Sequence, residues 1–390
     1  MTVDDRRPLV PPATVGMLGG GQLGRYALLA ARTMGYRTLV VDPDPSAPAA
    51  RVADDHVIAD YDDAVAVERV ARECDVVTVE FENPPAAALD ELELRVRVAP
   101  SPAAVRIAQD RIVEKAFLVD RGFPVGPYAV LDEERPSDGV SATPSTVSAA
   151  IVDGGAIVKT ARLGYDGKGQ RSVTGTAESL AAWAELGGVP CVVEQRLALD
   201  TEISVIVGRT AAGDVEAWPV AENHHVDGIL DLSVVPAQVP ATLADRAIGL
   251  AMAIADALDY VGVLAVELFV VGGELLVNEL APRPHNSGHW TLDASATSQF
   301  EQQIRAVCGL ALGATSMTAP AVAMVNLLGD LWADGTPDWT PVLTDPAARL
   351  HLYGKESARP GRKMGHLTVR AANPAAAARQ AVELRERSRR

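Results

Sequence analysis

The sequence is poor in aromatic residues, in cysteine and in positive charge. Aromatic side chains make up only 4% of the 390 residues, so the hydrophobic cores have to be built from aliphatic side chains. Cys74, Cys191 and Cys308 are odd in number and far apart, which argues against a disulfide framework or a cysteine-based metal site. Lysine and arginine number 35 against 51 acidic residues, and the resulting net charge of -16 repels nucleic acid and anionic lipid. A local cluster of cations would therefore have to bind any anionic substrate.

The sequence also lacks long apolar runs. None approaches the ~18 apolar residues of a transmembrane helix, and Met1 to Pro12 do not have the basic and then apolar layout of a signal peptide. We therefore expect a cytoplasmic protein. A chain of 390 residues with 48% hydrophobic and 22% charged residues is typical of a globular protein with two or three domains.

Residues 14–42 have the pattern of a strand, a glycine turn, a helix and a second strand. Gly19, Gly21 and Gly24 form a G-x-G-x-x-G motif before the helix, and Asp42 ends the second strand. In a dinucleotide-binding unit, such a turn directs amide groups at a phosphate, and the acid binds a ribose. Taken alone, the motif is compatible with a nicotinamide cofactor, with another anionic ligand, or with a turn that only packs the helix on the strand.

Further patterns outline the rest of the fold. Strand patterns up to residue 79 predict an open parallel sheet that ends near Pro100. A single helix is expected from about Pro102 to Arg121, and a hairpin at 262–281 is closed by Gly272-Gly273. After Ala319 we expect a small terminal unit of short strands and a last helix.

A second glycine-rich segment, residues 164–170 with the sequence GYDGKGQ, follows a strand pattern that contains Lys159. A mobile loop of this kind can place amides and an ammonium group over phosphates. It is not a Walker loop, because the GK[ST] ending is missing. By itself, a plain hairpin turn explains the segment equally well.

Four glutamates favour the phosphate interpretation. Glu194 and Glu202 flank the next strand region, where they are expected near a base and a ribose. Glu267 and Glu279 lie in the facing strands of the hairpin, and a carboxylate in an apolar strand is costly to bury unless it is paired or binds a cation. Two carboxylates beside a polyphosphate are what Mg²⁺ requires. The alternative is two outward-facing glutamates on an exposed face of the sheet.

These segments follow one another in the order of the ATP-grasp superfamily. The combination of GGGQLGR, GYDGKGQ, APRPHNSGHW and RPGRKMGH resembles the 5-(carboxyamino)imidazole ribonucleotide synthase family over about residues 14–370. The resemblance implies an α/β and α+β fold with three domains. These are a Rossmann-like domain at 1–108, an ATP-grasp domain at 109–315 with lobes at about 109–200 and 201–315, and a small β-rich C-terminal domain at 316–390.

The resemblance also implies a binding site for ATP and magnesium, with two Mg²⁺ ions on Glu267 and Glu279. The implied ATP-binding residues are Arg111, Lys159, Gly164, Tyr165, Asp166, Gly167, Lys168, Gly169, Gln170, Glu194, Gln195, Arg196, Leu197, Glu202, His225, Asn278 and Glu279. Some ATP-grasp enzymes have an asparagine ligand two residues after the second glutamate, where this chain has Ala281. A third protein ligand is therefore not assigned.

Arg283, His285 and Asn286 follow the hairpin, where the resemblance places bicarbonate and the transferred phosphoryl group. A guanidinium there matches a planar anion and the charge that develops on it. Arg283 and His285, together with Tyr165 and Asp166, are therefore the predicted catalytic residues. Asp166 would orient or deprotonate the reacting amine.

The spacing of His285 and His289 could suggest a zinc site on a helix. Pro284 and Gly288 argue against a helix here, and no third ligand has a suitable spacing. We therefore expect no zinc at this segment.

Lys355, Arg359, Arg362 and Lys363 place four cations within nine residues of an otherwise acidic chain. Without context, a solvated basic loop would explain them. The resemblance implies instead a clamp for a ribonucleotide 5′-phosphate, and Asp42 then has no cofactor role. The implied substrate-binding residues are Gln22, Leu23, Glu80, Asn286, Lys355, Arg362 and Lys363.

The implied reaction is the carboxylation of the exocyclic amine of 5-aminoimidazole ribonucleotide by ATP and bicarbonate, through carboxyphosphate, in purine biosynthesis. A homodimer and functional coupling to the carboxyaminoimidazole ribonucleotide mutase are implied as well. Two other enzymes remain as alternatives: a formate-dependent glycinamide ribonucleotide transformylase, and an NAD-dependent oxidoreductase that rests on the first glycine motif alone. A nucleotide-sensing module would leave the metal glutamates and the basic segment unexplained.

Overall fold

The computed structural model describes residues 7–132, 149–164 and 167–389. Its first unit is a five-stranded parallel sheet of order β3-β2-β1-β4-β5, as expected from the strand patterns. The elements are β1 (Thr14–Leu18), α1 (Gln22–Thr33), β2 (Arg37–Val41), β3 (Asp55–Val57), α2 (Ala64–Glu73), β4 (Val76–Val79), α3 (Ala86–Glu93) and β5 (Arg97–Val98). Aliphatic side chains from both sheet faces form its core, and the carboxyl ends of β1, β2 and β4 meet at one edge.

The single helix expected from Pro102 to Arg121 is wrong, because two helices occupy this segment. They are α4 (Pro102–Ala108) and α5 (Arg111–Asp120). Asp110 separates them by capping α5, since its side chain accepts hydrogen bonds from the amides of Ile112 at 3.1 Å and Val113 at 3.4 Å. Because of the break, α5 is a separate helix and does not continue α4.

A four-stranded antiparallel sheet of order β6-β9-β7-β8 follows. Its elements are β6 (Tyr128–Leu131), α6 (Ala149–Val152), β7 (Ala156–Thr160), β8 (Gln170–Val173), α7 (Thr176–Glu185) and β9 (Cys191–Gln195). Its core is aliphatic apart from the buried side chains of Trp183 and Cys191. Residues 161–169 lie between the paired strands β7 and β8.

The remaining strands form one nine-stranded sheet of order β15-β14-β10-β12-β13-β16-β18-β17, with β11 paired to β10. The elements up to residue 307 are β10 (Thr201–Arg209), β11 (Val215–Ala217), β12 (Ala221–Val226), β13 (Ile229–Val235), α8 (Ala241–Ala257), β14 (Gly262–Val271), β15 (Glu274–Ala281), α9 (Thr291–Ala294) and α10 (Gln299–Val307). The last are β16 (Ala321–Leu328), α11 (Thr340–Leu343), β17 (Ala348–Leu352), β18 (Lys363–Ala371) and α12 (Pro374–Arg387). Because β13 pairs with β16, the C-terminal strands extend the sheet of the preceding region.

Helix α10 connects the first sheet to the nine-stranded one. Phe300 and Ile304 of α10 pack in the same core as Tyr26 of α1. Within the described residues, no helix is both long and apolar enough to cross a bilayer. The observed architecture confirms the mixed α/β and α+β fold class.

Candidate active site

A cavity of about 460 Å³ lies between the first sheet, the four-stranded sheet and the β14–β15 hairpin. It is lined by eighteen of the residues predicted from the sequence. They are Gln22, Leu23, Arg111, Lys159, Gly164, Gly167, Lys168, Gly169, Gln170, Glu202, His225, Glu267, Asn278, Glu279, Arg283, His285, Asn286 and Lys363. The predicted residues Glu80, Glu194, Gln195, Arg196, Leu197, Lys355 and Arg362 are not among those that line it. Tyr165 and Asp166 lie outside the described residues.

In the first glycine turn, residues 19–24, the amide groups are bonded to carboxylates of the same domain. The amide of Gly20 donates to Asp42 Oδ2 at 2.6 Å. The amides of Gly21 and Gly24 donate to Glu80 Oε1 and Oε2 at 2.8 and 3.1 Å. Burial raises the pKa of Glu80, and these two hydrogen bonds act against that increase. A dinucleotide pyrophosphate would meet two carboxylates here, so the geometry does not support a nicotinamide site.

The β14–β15 hairpin pairs Glu267 directly with Glu279. The next pair along the hairpin is Leu268 with Val277, so Asn278 is the extra residue of a β-bulge. In a regular strand, Asn278 and Glu279 would face opposite sides of the sheet. Because of the bulge, both side chains line the cavity.

The side chain of Glu267 is surrounded by donors. His285 Nε2 lies 3.1 Å from its Oε1, and Asn278 Nδ2 donates to its Oε2 at 3.4 Å. Burial raises the pKa of Glu267, but the hydrogen bond from His285 and the nearby charges of His225 and Lys363 outweigh burial and lower it to about 2. This carboxylate is therefore ionised at neutral pH.

Glu279 is paired with Arg111, whose Nη1 lies 2.6 Å from its Oε2. The other terminal nitrogen of Arg111 donates to the carbonyl oxygen of Gly164 at 3.3 Å, which connects the β14–β15 hairpin to the start of the glycine loop. Glu267 and Glu279 thus supply facing carboxylate oxygens, the ligand type that Mg²⁺ takes together with phosphate oxygens. The donor set fits a magnesium ion.

Behind His285 lies a chain of buried hydroxyl and amide groups. His285 Nδ1 lies 2.9 Å from Ser287 Oγ, which lies 2.8 Å from Ser204 Oγ. Asn223 Nδ2 donates to Ser204 Oγ at 2.9 Å. These contacts hold the imidazole with its Nε2 directed at Glu267.

Glu194 lies between two lysines, one of which, Lys159, lines the cavity. Lys115 Nζ is 2.9 Å from its Oε1, and Lys159 Nζ is 2.5 Å from its Oε2. Burial raises the pKa of Glu194, but both lysines together lower it to about 2. Sequence reasoning missed Lys115, although its spacing of four from Arg111 places both residues on one face of α5.

Four acidic or amide residues of the cavity were also missed, namely Glu82, Asn83, Gln109 and Glu114. Glu82 and Asn83 follow β4, and Glu82 forms an ion pair with Arg283. Glu114 of α5 lines the cavity from the opposite side. The position of Glu82 and Asn83 just after a parallel strand could have indicated them, because ligands of open α/β sheets bind outside the carboxyl ends of the strands.

The basic segment 355–363 is folded by contacts of its own. Lys355 Nζ donates to the carbonyl oxygen of Lys363 at 2.8 Å and lies 5.5 Å from the ring centre of Tyr353. Arg362 donates to the carbonyl and hydroxyl oxygens of Ser357, each at 2.9 Å. Of these cations, Lys363 is the one that lines the cavity.

Asp293, His351 and His366 bring ligand atoms within 4.8 Å of one another. The two imidazole rings stack with centroids 4.4 Å apart and planes 10° apart. Nitrogen lone pairs lie in the ring plane, so those of two parallel stacked rings cannot converge on one ion. This cluster is therefore not a suitable metal centre.

Three family models match the chain in the order of its regions. They are described as a ribonucleotide synthetase preATP-grasp domain at residues 12–109, an ATP-grasp domain at 117–300 and a phosphoribosylaminoimidazole carboxylase C-terminal domain at 322–380. The N5-carboxyaminoimidazole ribonucleotide synthase of Brucella melitensis is 44% identical over 369 residues, which cover 93% of this chain and 98% of that protein.

Solved structures agree with these matches. An N5-carboxyaminoimidazole ribonucleotide synthetase in complex with ADP is 40% identical, with a TM-score of 0.87 over 97% of both chains. The enzyme of Aspergillus clavatus, in complex with ADP and 5-aminoimidazole ribonucleotide, is 29% identical, with a TM-score of 0.83 over 96% of this chain and 99% of that one. The matches confirm the resemblance and support neither the formate-dependent nor the NAD-dependent alternative. With this identity over nearly its whole length, the chain belongs to the N5-carboxyaminoimidazole ribonucleotide synthase family of ATP-grasp enzymes.

Proposed function

We propose that this protein uses ATP and bicarbonate to carboxylate the exocyclic amine of 5-aminoimidazole ribonucleotide in purine biosynthesis. The products are 5-carboxyaminoimidazole ribonucleotide, ADP and phosphate. One observation carries the proposal: Gly164 and residues 167–170 line one cavity together with the carboxylates Glu267 and Glu279 and the cations Arg283 and Lys363. ATP and a second, anionic substrate can therefore meet there.

ATP is proposed to lie against the four-stranded sheet. Residues 194–197 would bind the base, and Glu202, which lies 3.0 Å from His225 Nδ1, would accept the ribose hydroxyls. Lys159 and Lys168 supply positive charge for the phosphates. Two Mg²⁺ ions on Glu267 and Glu279 would neutralise the charge that develops during phosphoryl transfer.

Bicarbonate is proposed to bind Arg283. Burial lowers the pKa of Arg283 to about 10, so the guanidinium is still charged at neutral pH. Its Nε has no hydrogen-bond partner among the described residues, which leaves a buried donor for a planar anion. The side chain already contacts Glu82, so the donor is held at the boundary with the N-terminal domain.

The chemistry proceeds in two stages. A bicarbonate oxygen attacks the γ-phosphorus, the bond to the β,γ-bridging oxygen breaks, and ADP leaves. The resulting carboxyphosphate breaks down to carbon dioxide and phosphate. The exocyclic amine then adds to the carbon of carbon dioxide and loses a proton, for which Asp166 is the proposed acceptor. Because carboxyphosphate is labile in water, the lid loop, residues 164–170, should close before it forms.

The ribonucleotide is proposed to bind between the first glycine turn and the start of β18, where Gln22, Leu23, Asn286 and Lys363 line the cavity. Lys355 and Arg362 would contribute to binding the 5′-phosphate. Glu80 would act indirectly, because its carboxylate already holds the glycine turn.

A homodimer and transfer of the product to the mutase complete the proposal, and both rest on the family resemblance. Sedimentation equilibrium tests the first, since the monomer mass is 41.0 kDa. A trap for free product tests the second, because a transferred intermediate would escape the trap.

Phosphate release from ATP tests the reaction itself. The proposal expects release that requires both bicarbonate and 5-aminoimidazole ribonucleotide, and carbon from labelled bicarbonate in the ribonucleotide product. Formate with glycinamide ribonucleotide is the matched alternative pair of substrates. Release that requires this second pair would overturn the proposal.

A further inference from the structure

One face of α5 contacts three consecutive residues of β15. Arg111, Glu114 and Lys115 occupy positions i, i+3 and i+4 of the helix, which lie side by side. Their contacts on β15 are, in the same order, the side chain of Glu279 at 2.6 Å, the amide of Leu280 at 2.9 Å and the carbonyl oxygen of Asn278 at 3.5 Å. The contacted segment contains the bulge and one of the two facing carboxylates.

β15 is the edge strand of the nine-stranded sheet, so no strand in the described part of the chain accepts the amides along its outer side. Val277 donates instead to the carbonyl oxygen of Pro124 at 2.8 Å, and Leu280 donates to Glu114 Oε2 at 2.9 Å. The two amides that donate, those of Val277 and Leu280, belong to residues on either side of Asn278, the bulge residue. The outer edge of the bulge is therefore held at both ends.

Glu114 has no function in the reaction as described above, yet burying it is costly. Its side chain is 1% exposed, and its Oε1 has no hydrogen-bond partner among the described residues. Burial raises the pKa of Glu114 to about 8, and the opposing charges of Lys115 and Arg111 do not restore the usual value. A polar group that is costly to bury is expected to have a compensating role.

We propose that Glu114 is a positioning residue: its side chain accepts the Leu280 amide and thereby fixes the bulge that turns Glu279 into the cavity. This inference rests on the proposed function, because it assigns Glu279 to the metal. Without the acceptor, the Leu280 amide is buried and unpaired, and the segment can relax toward a regular strand. In a regular strand, Asn278 and Glu279 would no longer face the same side.

The test compares three variants of the full-length protein. Glu114→Gln keeps the shape and an amide oxygen as acceptor, whereas Glu114→Leu keeps approximate volume and removes the acceptor. Glu222→Leu is the matched control, because Glu222 Oε2 also accepts a backbone amide, that of Gln238, at 2.9 Å and does not line the cavity. The probe is Mn²⁺, whose free concentration is measured by electron paramagnetic resonance in the presence of saturating ADP. Turnover and unfolding midpoints are measured on the same samples.

Glu114→Leu is expected to weaken Mn²⁺ binding about tenfold, the effect of one unpaired buried amide. kcat should fall while the KM for the ribonucleotide stays within about twofold, since the ribonucleotide binds elsewhere. Glu114→Gln should restore Mn²⁺ affinity to within about threefold of wild type, and Glu222→Leu should leave it unchanged.

Two results would overturn the inference. Folded Glu114→Leu with wild-type Mn²⁺ affinity would show that the contact does not position the metal carboxylate. Glu114→Gln with affinity as weak as the leucine variant would show that an acceptor for the Leu280 amide is not what positions the site, and this variant decides the question if Glu114→Leu does not fold. If wild type binds Mn²⁺ with ADP but does not carboxylate the ribonucleotide, the proposed function fails while the positioning role can still be measured.

Discussion

The first glycine turn and the lid loop are both rich in glycine, and each follows a strand. In the first turn, the amides of Gly20, Gly21 and Gly24 donate to carboxylates of their own domain. In the lid loop, Gly167 and Gly169 have positive φ angles of 77° and 71° and line the cavity. Carboxylates of the same domain occupy the amides of the first glycine turn, whereas the lid loop borders the space proposed for ATP.

The difference shows what a glycine pattern can and cannot predict. Glycine lets backbone amides converge on an anion, but the surrounding fold decides which anion is present. In the first domain, Asp42 and Glu80 follow β2 and β4, the two strands that flank β1, and their carboxylates reach the turn where a pyrophosphate would bind. A G-x-G-x-x-G motif therefore predicts the geometry of a turn and leaves its ligand open.

The largest effect is expected at Glu267 and Glu279, the proposed metal ligands beside the lid loop. Glu267→Gln is expected to lower kcat on the order of a hundredfold or more, because it removes charge where the transferred phosphoryl group needs a metal. Steady-state turnover measures the effect. Glu274→Gln is the control on the same hairpin, since Glu274 is exposed and pairs with Arg246. Near-normal turnover of the Glu267 variant would remove the metal assignment.

A side chain in the lid loop should have the next largest effect. Gly167→Val is expected to lower ATP turnover on the order of tenfold to a hundredfold, because the added Cβ would lie 3.0 Å from the carbonyl oxygen of Asp227 at a positive φ. Gly187→Val is the matched control: its φ of 89° brings similar strain, but nothing lies within 4 Å of its Cβ. Equal loss of turnover in both variants would mean that strain, and not lid closure, causes the defect.

A change in the first glycine turn is expected to lower the stability of the protein. Glu80→Ala is expected to lower the free energy of unfolding by about 2 kcal/mol or more, because the amides of Gly21 and Gly24 lose their acceptor. Urea denaturation gives the value. Glu68→Ala removes an exposed acid paired with Arg95 and should have little effect. If the two variants are equally stable, the turn is not held by Glu80. NAD binding to either variant would reopen the nicotinamide interpretation.

The smallest effect is expected at the basic segment. Lys355→Ala should raise the KM for the ribonucleotide severalfold and leave the KM for ATP nearly unchanged, because a remote phosphate contact supplies binding energy away from the reacting centre. Arg349→Ala is a control on the preceding strand, β17, since the contacts of Arg349 among the described residues are to the backbone carbonyl groups of Pro346 and Ala348. Equal weakening toward both substrates would contradict a phosphate clamp.

Local patterns in the sequence predicted much of the fold. β1, α1 and β2 lie where the first pattern put them, and the hairpin at 262–281 has Gly272 and Gly273 at its turn with positive φ. The helix break at Asp110 was missed, because an acidic residue in a helical pattern is read as an exposed position. The Asp110 side chain caps a new helix here, and this contact forms only when the chain has turned at that residue.

The candidate site was predictable where motif and spacing sufficed. That Glu267 and Glu279 lie in paired strands follows from a hairpin closed by a two-glycine turn. The register of that turn alone would place Glu267 opposite Asn278, and the bulge places it opposite Glu279 instead. The bulge at Asn278 was not predictable, because a bulge depends on contacts along an edge strand. Those contacts come from Glu114 and Pro124, more than 150 residues earlier in the chain.

The sequence by itself determined the parallel N-terminal sheet, the glycine turns, the hairpin and the family. Periodicity, turn conformation and short motifs depend on neighbouring residues, and they keep their meaning without the rest of the molecule. Only the tertiary structure decided that Asp42 and Glu80 close the first turn, that Glu194 lies between Lys115 and Lys159, and that Arg283 meets Glu82. These partners are set by how strands, helices and sheets pack together. Ion pairs between residues distant in sequence depend on that packing, which no local pattern encodes.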